Sequence, residues 1–261
     1  MRYYVLGRRG LLSACAAILV FSLLLANFPA AKSLVASAVA GRELPIYCVD
    51  TDEKKVAFTF DAAWGNEDTH ALVEIFDKYD IPVTFFVTGG WAESYPESVK
   101  ELHDAGHDIM NHSDTHGHMS KMSAEEITAD VGECAGKIAA VTGVYPDLFR
   151  PPYGDYNDRL IKTMRENGYF SIQWDVDSLD WKDISPEEIK KRVLSKVGPG
   201  SIVLFHNGAK NTPEALPAII EALKEQGYTF VKVSDLIMRD DYTIDHTGKQ
   251  CLSGPGAETA Q

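Results

Sequence analysis

The stretch Phe58-Thr59-Phe60-Asp61-Ala62-Ala63-Trp64-Gly65-Asn66-Glu67-Asp68 begins as a strand and ends as the approach to a helix. Three apolar or β-branched residues run straight into an acid. A tight Ala-Ala-Trp-Gly turn follows, then polar residues suited to a helix start. An acid at the C-terminal end of a strand, before a βα loop, is where α/β barrels place their chemistry. Taken alone, Asp61 serves equally well as a turn cap or as a catalytic acid.

Outward from this stretch the same alternation repeats. Strand-like runs fall at Val56–Phe60, Val83–Val87, His107–Asn111, Leu148–Arg150, Phe170–Trp174, Ile202–His206 and Thr229–Val233. Helical patterns lie between most of them. Pro96 marks the first turn of one helix, with Ser94 as its cap. Ser123 and Glu126 form a capping box ahead of the stripe Ile127, Val131, Cys134, Ile138 and Val141. A second box, Ser185 with Glu188, has proline at the first helical position. Alternating strands and helices argue for a parallel sheet with right-handed crossovers. The expected fold is α/β, a seven-stranded (β/α) barrel in a single domain behind an N-terminal membrane or signal segment, with an open doubly wound sheet as the alternative.

Composition limits the classes of function. The chain has 261 residues, 45% hydrophobic and 24% charged, with a net charge of −13. That suffices for one large core. An acidic chain is poorly suited to hold nucleic acid or an anionic membrane surface by charge. Arg2, Arg8 and Arg9 precede an apolar run from Gly10 to Phe28. This is the order of a secretory segment, close to the shortest length that spans a membrane. Positive-inside logic puts the chain beyond Ala30 outside the cytoplasm. Ala38-Val39-Ala40 resembles a cleavage site but lies well past the apolar run, which favours an uncleaved anchor. The expected organisation is a signal peptide or anchor over 1–30, a linker over 31–53, the domain over 54–238 and a flexible tail over 239–261. Cys48, Cys134 and Cys251 have no metal spacing, so one disulfide or none is expected. The protein is expected to be a monomer whose membrane contact runs through its N-terminal segment.

Reactive residues collect at the strand ends. Asn111-His112-Ser113-Asp114-Thr115-His116 places two histidines four apart, read as one face of a helical turn and suited to a metal. Arg150-Pro151-Pro152-Tyr153-Gly154 holds an arginine on a rigid backbone, able to keep a carboxylate ionised. Asp177-Ser178-Leu179-Asp180-Trp181 sets acids beside an aromatic that suits a sugar face. Leu204-Phe205-His206 ends a buried strand in a histidine suited to acid–base work.

Together these motifs identify a resemblance. Thr59-Phe60-Asp61, His112-Ser113-x-x-His116, the Arg150–Gly154 run, Asp177–Trp181 and Leu204–His206 resemble the polysaccharide deacetylases, the NodB-homology domain of carbohydrate esterase family 4. They span roughly residues 54–236. The continuation Trp64–Thr69 looks most like the branch from spore-forming bacteria and carries the expectation of a sporulation role. The resemblance implies a distorted seven-stranded (β/α) barrel and hydrolysis of the N-acetyl amide of an amino sugar in a cell-envelope polysaccharide, peptidoglycan or chitin-like, with a divalent metal, zinc or cobalt. It implies Asp61 as general base, His112 and His116 as metal ligands, and Arg150 as the partner that ionises Asp61. The Tyr153 N–H would stabilise the oxyanion. His206 would protonate the leaving amine, held charged by Asp180, and Trp181 and Leu204 would line the acetyl pocket.

The sequence departs from the family at one place. The family continues Asp-Asp-Gly, its second Asp a metal ligand, where this chain has Ala62 and Ala63. A methyl group binds no cation, and zinc sites ordinarily take three protein ligands. Asn66, Glu67, Asp68 or a water is left to fill the vacancy. Two readings are open: an N-deacetylase, favoured by retention of Asp61, Arg150, Asp180 and His206, or an inactive glycan-binding envelope protein.

Overall fold

The computed structural model describes residues 42–253. The apolar N-terminal segment and its proposed cleavage site lie outside the described residues, as do residues 254–261. Among the described residues no helix is long and apolar enough to cross a membrane.

The described strands form a single sheet of eleven, in place of the expected seven. In chain order they are β1 (Cys48–Val49), β2 (Lys55–Ala62), β3 (Thr84–Val87), β4 (Asp108–Asn111), β5 (Leu148–Phe149), β6 (Phe170–Ser171), β7 (Val176–Asp177), β8 (Ser201–His206), β9 (Thr229–Phe230), β10 (Tyr242–Ile244) and β11 (Lys249–Leu252). The helices are α1 (Thr69–Tyr79), α2 (Gly89–Ser94), α3 (Pro96–Asp104), α4 (Ala124–Thr142), α5 (Asp158–Glu166), α6 (Pro186–Leu194), α7 (Thr212–Glu225) and α8 (Val233–Leu236). Strands β8, β2, β3, β4, β5 and β6 run parallel in that order. Beyond β6 the sheet curves back, and Ile46 bridges Ile172. The result is an irregular α/β barrel with helices outside.

Period-two alternation along β2 builds the wall. Val56, Phe58, Phe60 and Ala62 join the apolar layer under the helices, while Ala57 belongs to a second cluster on the other face. Phe58, Phe60, Phe76, Phe85 and Phe205 interlock, with the Phe60 ring 5.1 Å from Phe85 and 5.3 Å from Phe205. Burying each such ring contributes about 1.5–3 kcal/mol. Asp61 and His206 pair directly across β2 and β8. Both sit at strand C-termini, so the site forms at that end of the barrel.

Three expectations are corrected. The end of the proposed linker is part of the fold: Ile46 and Val49 are buried, and β1 pairs with β8 and β11. Residues 239–253 do not trail away, since β10 and β11 form an antiparallel hairpin whose second strand adds to β1. Gln250 is fully buried there, its side chain bonded to the main chain of Met238. Ser94 does not cap the Pro96 helix. It closes α2, bonding the Gly90 carbonyl, and Tyr95 occupies the cap position of α3. Both capping boxes, at Ser123 and Ser185, are formed as read. Cys48, Cys134 and Cys251 are free thiols.

Candidate active site

Two buried ion pairs flank the end of β2. The Arg150 guanidinium donates to Asp61 Oδ1 at 2.7 Å and to Thr59 Oγ1 at 2.9 Å, and to the Gln173 carbonyl at 3.1 Å. It lies over the Phe86 ring, 4.1 Å from the centroid, a cation–π arrangement. Arg150 is fully buried and Asp61 nearly so. Burial alone would raise the Asp61 carboxyl, but the Arg150 charge and hydrogen bond, with His206, outweigh it and hold the group below its ordinary value. Asp61 is therefore an ionised proton acceptor.

The second pair joins β8 to the turn after β7. His206 Nδ1 bonds Asp180 Oδ1 at 2.8 Å, and the His206 N–H donates to Asp180 Oδ2 at 2.8 Å. Thr212 and the Trp181 N–H also donate to Asp180, at 2.8 and 2.9 Å. Burial works against a charged His206. Its bond to Asp180, with the charges of Asp180, Asp61 and Asp177, overrides that effect and raises the imidazole above its ordinary value. The fold thus favours the charged imidazolium of His206, which pairs across the sheet with Asp61.

His112 and His116 come together, but not on a helical turn. Ser113 and His116 take positive φ, 68° and 54°. The Asn111 side chain accepts from the Ser113 N–H, and Ser113 Oγ accepts from the His116 N–H. The two rings lie 5.0 Å apart. His112 Nδ1 donates to the Arg150 carbonyl at 2.8 Å, which leaves Nε2 as the free lone pair, 3.5 Å from Asp61 Oδ2. Burial, then the neighbouring His112, pushes His116 down to about 4, and burial likewise lowers His112. Both rings are neutral, as metal ligands must be.

The candidates for a third ligand do not join them. Ala62 is fully buried and continues the helix-facing row of Phe58 and Phe60. Asn66 donates to Ser98 Oγ at 2.9 Å, and Asp68 accepts the Gly208 N–H at 2.7 Å. Glu67 folds over Gly65 and is exposed. Among the described residues no group of three or more His, Cys, Asp or Glu side chains is placed to hold a metal ion. The residues present thus fall short of the family's ligand set by one carboxylate.

The remaining expected residues line the mouth. Tyr153 has a left-handed backbone, φ 60°, and its ring lies 4.5 Å from His116 and 4.6 Å from His118. His118 stacks on the Tyr153 ring, the two planes 25° apart. Trp181 is largely exposed beside Asp180, and Leu204 is buried one pleat below His206. Sequence reading missed four participants. Thr59 and Thr212 complete the bonding of the two ion pairs. Trp91 Nε1 and Asn207 Nδ2 both donate to the carbonyls of Trp64 and Gly65. Thr59 lay within a quoted motif, so its inward register was a usable signal. Trp91 is distant in sequence from every motif and gave none, whereas Asn207 directly follows His206.

The sequence profile of the polysaccharide deacetylase family matches residues 49–172. The peptidoglycan-N-acetylmuramic acid deacetylase PdaA of Bacillus subtilis is 32% identical over 203 residues, 76% of this chain and 77% of PdaA. The uncharacterised protein YlxY of the same species is 34% identical over 74% of this chain, and the match spans 60% of YlxY. The crystal structure of BA3943 from Bacillus anthracis, described as a CE4 family pseudoenzyme, superposes with a TM-score of 0.72 at 36% identity, covering 76% of this chain and 71% of that one. A mutant of BA3943 is described as having restored enzymatic activity. Strand order, paired charges and these likenesses agree: the chain belongs to the polysaccharide deacetylase family.

Proposed function

We propose that the protein engages an N-acetylated glycan of the cell envelope at this site, and that hydrolysis is held back by its metal centre while its acid–base pairs are complete. The observation that carries this reading is buried Ala62 where the family has a ligating carboxylate, with Asn66 and Asp68 committed to other bonds. Relatives support the glycan class, since PdaA is named for deacetylation of peptidoglycan. A relative described as a pseudoenzyme supports the block.

The chemistry left to this chain is acid–base. Amide hydrolysis needs a proton acceptor for the attacking water and a donor for a poor leaving amine. Asp61, ionised by Arg150, suits the first role, and His206, charged by Asp180, suits the second. The Tyr153 N–H is the proposed oxyanion donor, and Trp181 with Leu204 the proposed acetyl pocket. When bound, zinc or cobalt would activate the water and polarise the carbonyl. The apolar N-terminal segment supports an extracytoplasmic, anchored or secreted protein. The Trp64–Thr69 likeness supports a role in spore formers.

Acetate release from N-acetylglucosamine oligomers and peptidoglycan fragments, with Zn²⁺ or Co²⁺ present, tests the reading. The unaltered chain is expected at background, and Ala62→Asp to rise roughly tenfold or more. A second reading, a working deacetylase with two imidazoles and water as ligands, is favoured by the full bonding of Asp61 and His206. Steady release by the unaltered chain, lost in Asp61→Asn, would establish that second reading.

A further inference from the structure

We propose that the Trp64 indole is a glycan-stacking subsite on the rim of the site. A pyranose ring of an N-acetylated glycan would lie on it while the acetamido group faces Asp61 and His206. The inference rests on the reading of the site as a glycan site.

Trp64 is 55% exposed, unusual for the largest apolar side chain. Its ring sits between the two halves of the site, 5.7 Å from His116 and 6.2 Å from His206. It therefore borders the space where a reacting sugar must sit. Its loop is held rigidly. The Trp64 carbonyl accepts from Trp91 Nε1 at 3.0 Å and Asn207 Nδ2 at 2.8 Å. The Gly65 carbonyl accepts from the same two groups at 2.6 and 2.7 Å. Gly65 carries a φ of 24°, and a Cβ there would meet the Glu67 carboxylate at 2.2 Å. Asn66 and Asp68 anchor the next residues to Ser98 and Gly208. The Trp64 and Gly65 carbonyls, Asn66 and Asp68 are thus spent on holding the loop, which presents the indole together with the exposed Glu67. A pre-positioned aromatic loses little conformational freedom on binding.

The ligand class is set by the surroundings. Tyr153 and Trp181 are also more than half exposed, and both belong to loops at this mouth. Val144 and Tyr145, by contrast, precede β5 at the other end of the barrel. Flat aromatic faces around a polar, charged centre suit a chain of pyranoses, each with an apolar C–H face and a hydroxylated edge.

Calorimetric titration of short N-acetylglucosamine oligomers into the unaltered protein, Trp64→Ala, Trp64→Phe and Trp181→Ala tests this. Trp64→Ala is expected to raise Kd about tenfold and to flatten the gain in affinity with oligomer length. Trp64→Phe is expected to restore most of the loss, about threefold above the unaltered Kd. Thermal unfolding midpoints should not move, since the indole is exposed. Unchanged or tighter binding by Trp64→Ala, with the unaltered protein binding, overturns the subsite and leaves the glycan reading standing. No binding by the unaltered protein overturns both.

Discussion

The two halves of the site differ in how completely they are built. On the acid–base half, each carboxylate has a buried, geometrically specific partner: Asp61 has Arg150, and Asp180 has His206, Thr212 and the Trp181 N–H. On the other half, two neutral imidazoles converge 5.0 Å apart, and among the described residues no group of three or more His, Cys, Asp or Glu is placed to hold a metal ion. Ion pairs taken out of water are costly unless fully bonded. Such pairs are intact beside only two converging imidazoles, so their bonding does not depend on a third ligand there.

The sharpest break in that comparison is Arg150→Met. It leaves Asp61 as an uncompensated buried charge, and is expected to lower stability by about 3–5 kcal/mol in urea unfolding at neutral pH. The sign with pH is fixed. The Asp61 value is lowered in the fold, so the pair's contribution is present above the ordinary 3.8 and is lost as pH falls through the lowered value. The gap between the two proteins should close on acidification through that window. A gap that persists unchanged at low pH would show that Arg150 acts through packing.

Ala62→Asp probes the other half, and without metal its effect is smaller. The residue is fully buried in the apolar row of Phe58 and Phe60. An unpaired carboxyl there is expected to cost about 1–3 kcal/mol in the metal-free protein. Zinc should recover that loss and bind about ten- to hundredfold more tightly than to the unaltered chain. Equal affinity for zinc in both proteins, by titration calorimetry, would show that the new carboxyl stays in the apolar layer.

Asp180→Asn is the mildest. It removes the charge that raises His206, so the imidazole should titrate lower by NMR, with a stability loss of roughly 1 kcal/mol. His206 is raised in the fold from an ordinary 6.5. Its contribution is therefore present below 6.5 and disappears as pH rises through the folded value. The difference between the two proteins should be widest at mildly acidic pH. An unmoved His206 titration would break the pairing argument.

The sequence made Asp61 and His206 legible because each comes at the end of a long buried strand, whereas Arg150 and Asp180 follow two-residue strands and are read from their motifs. Val56–Phe60 is apolar except at Thr59 and Ile202–Phe205 is a continuous apolar run, and Asp61 and His206 come directly at their ends. The departure at Ala62 was equally plain. Less visible were β1 and β7, two residues each, too short to display any period. The β10–β11 hairpin looked like a tail because its edge strands are polar, and their pairing comes from a segment some two hundred residues upstream. The geometry of His112 and His116 was misread for another reason. Spacing of four suits a helix, but here two left-handed residues do the work, and nothing in Ser113 or His116 advertises that conformation.

Arg150 serves both halves with different parts of itself. Its guanidinium grips Asp61, while its main-chain carbonyl receives the proton of His112 Nδ1. One residue, stiffened by Pro151 and Pro152, is thus a common hinge-pin for base and imidazole. Ala62 takes no part in that linkage. A substitution at the end of β2 therefore leaves the Asp61–Arg150–His112 linkage in place, so base and imidazole keep their register whatever side chain stands at position 62.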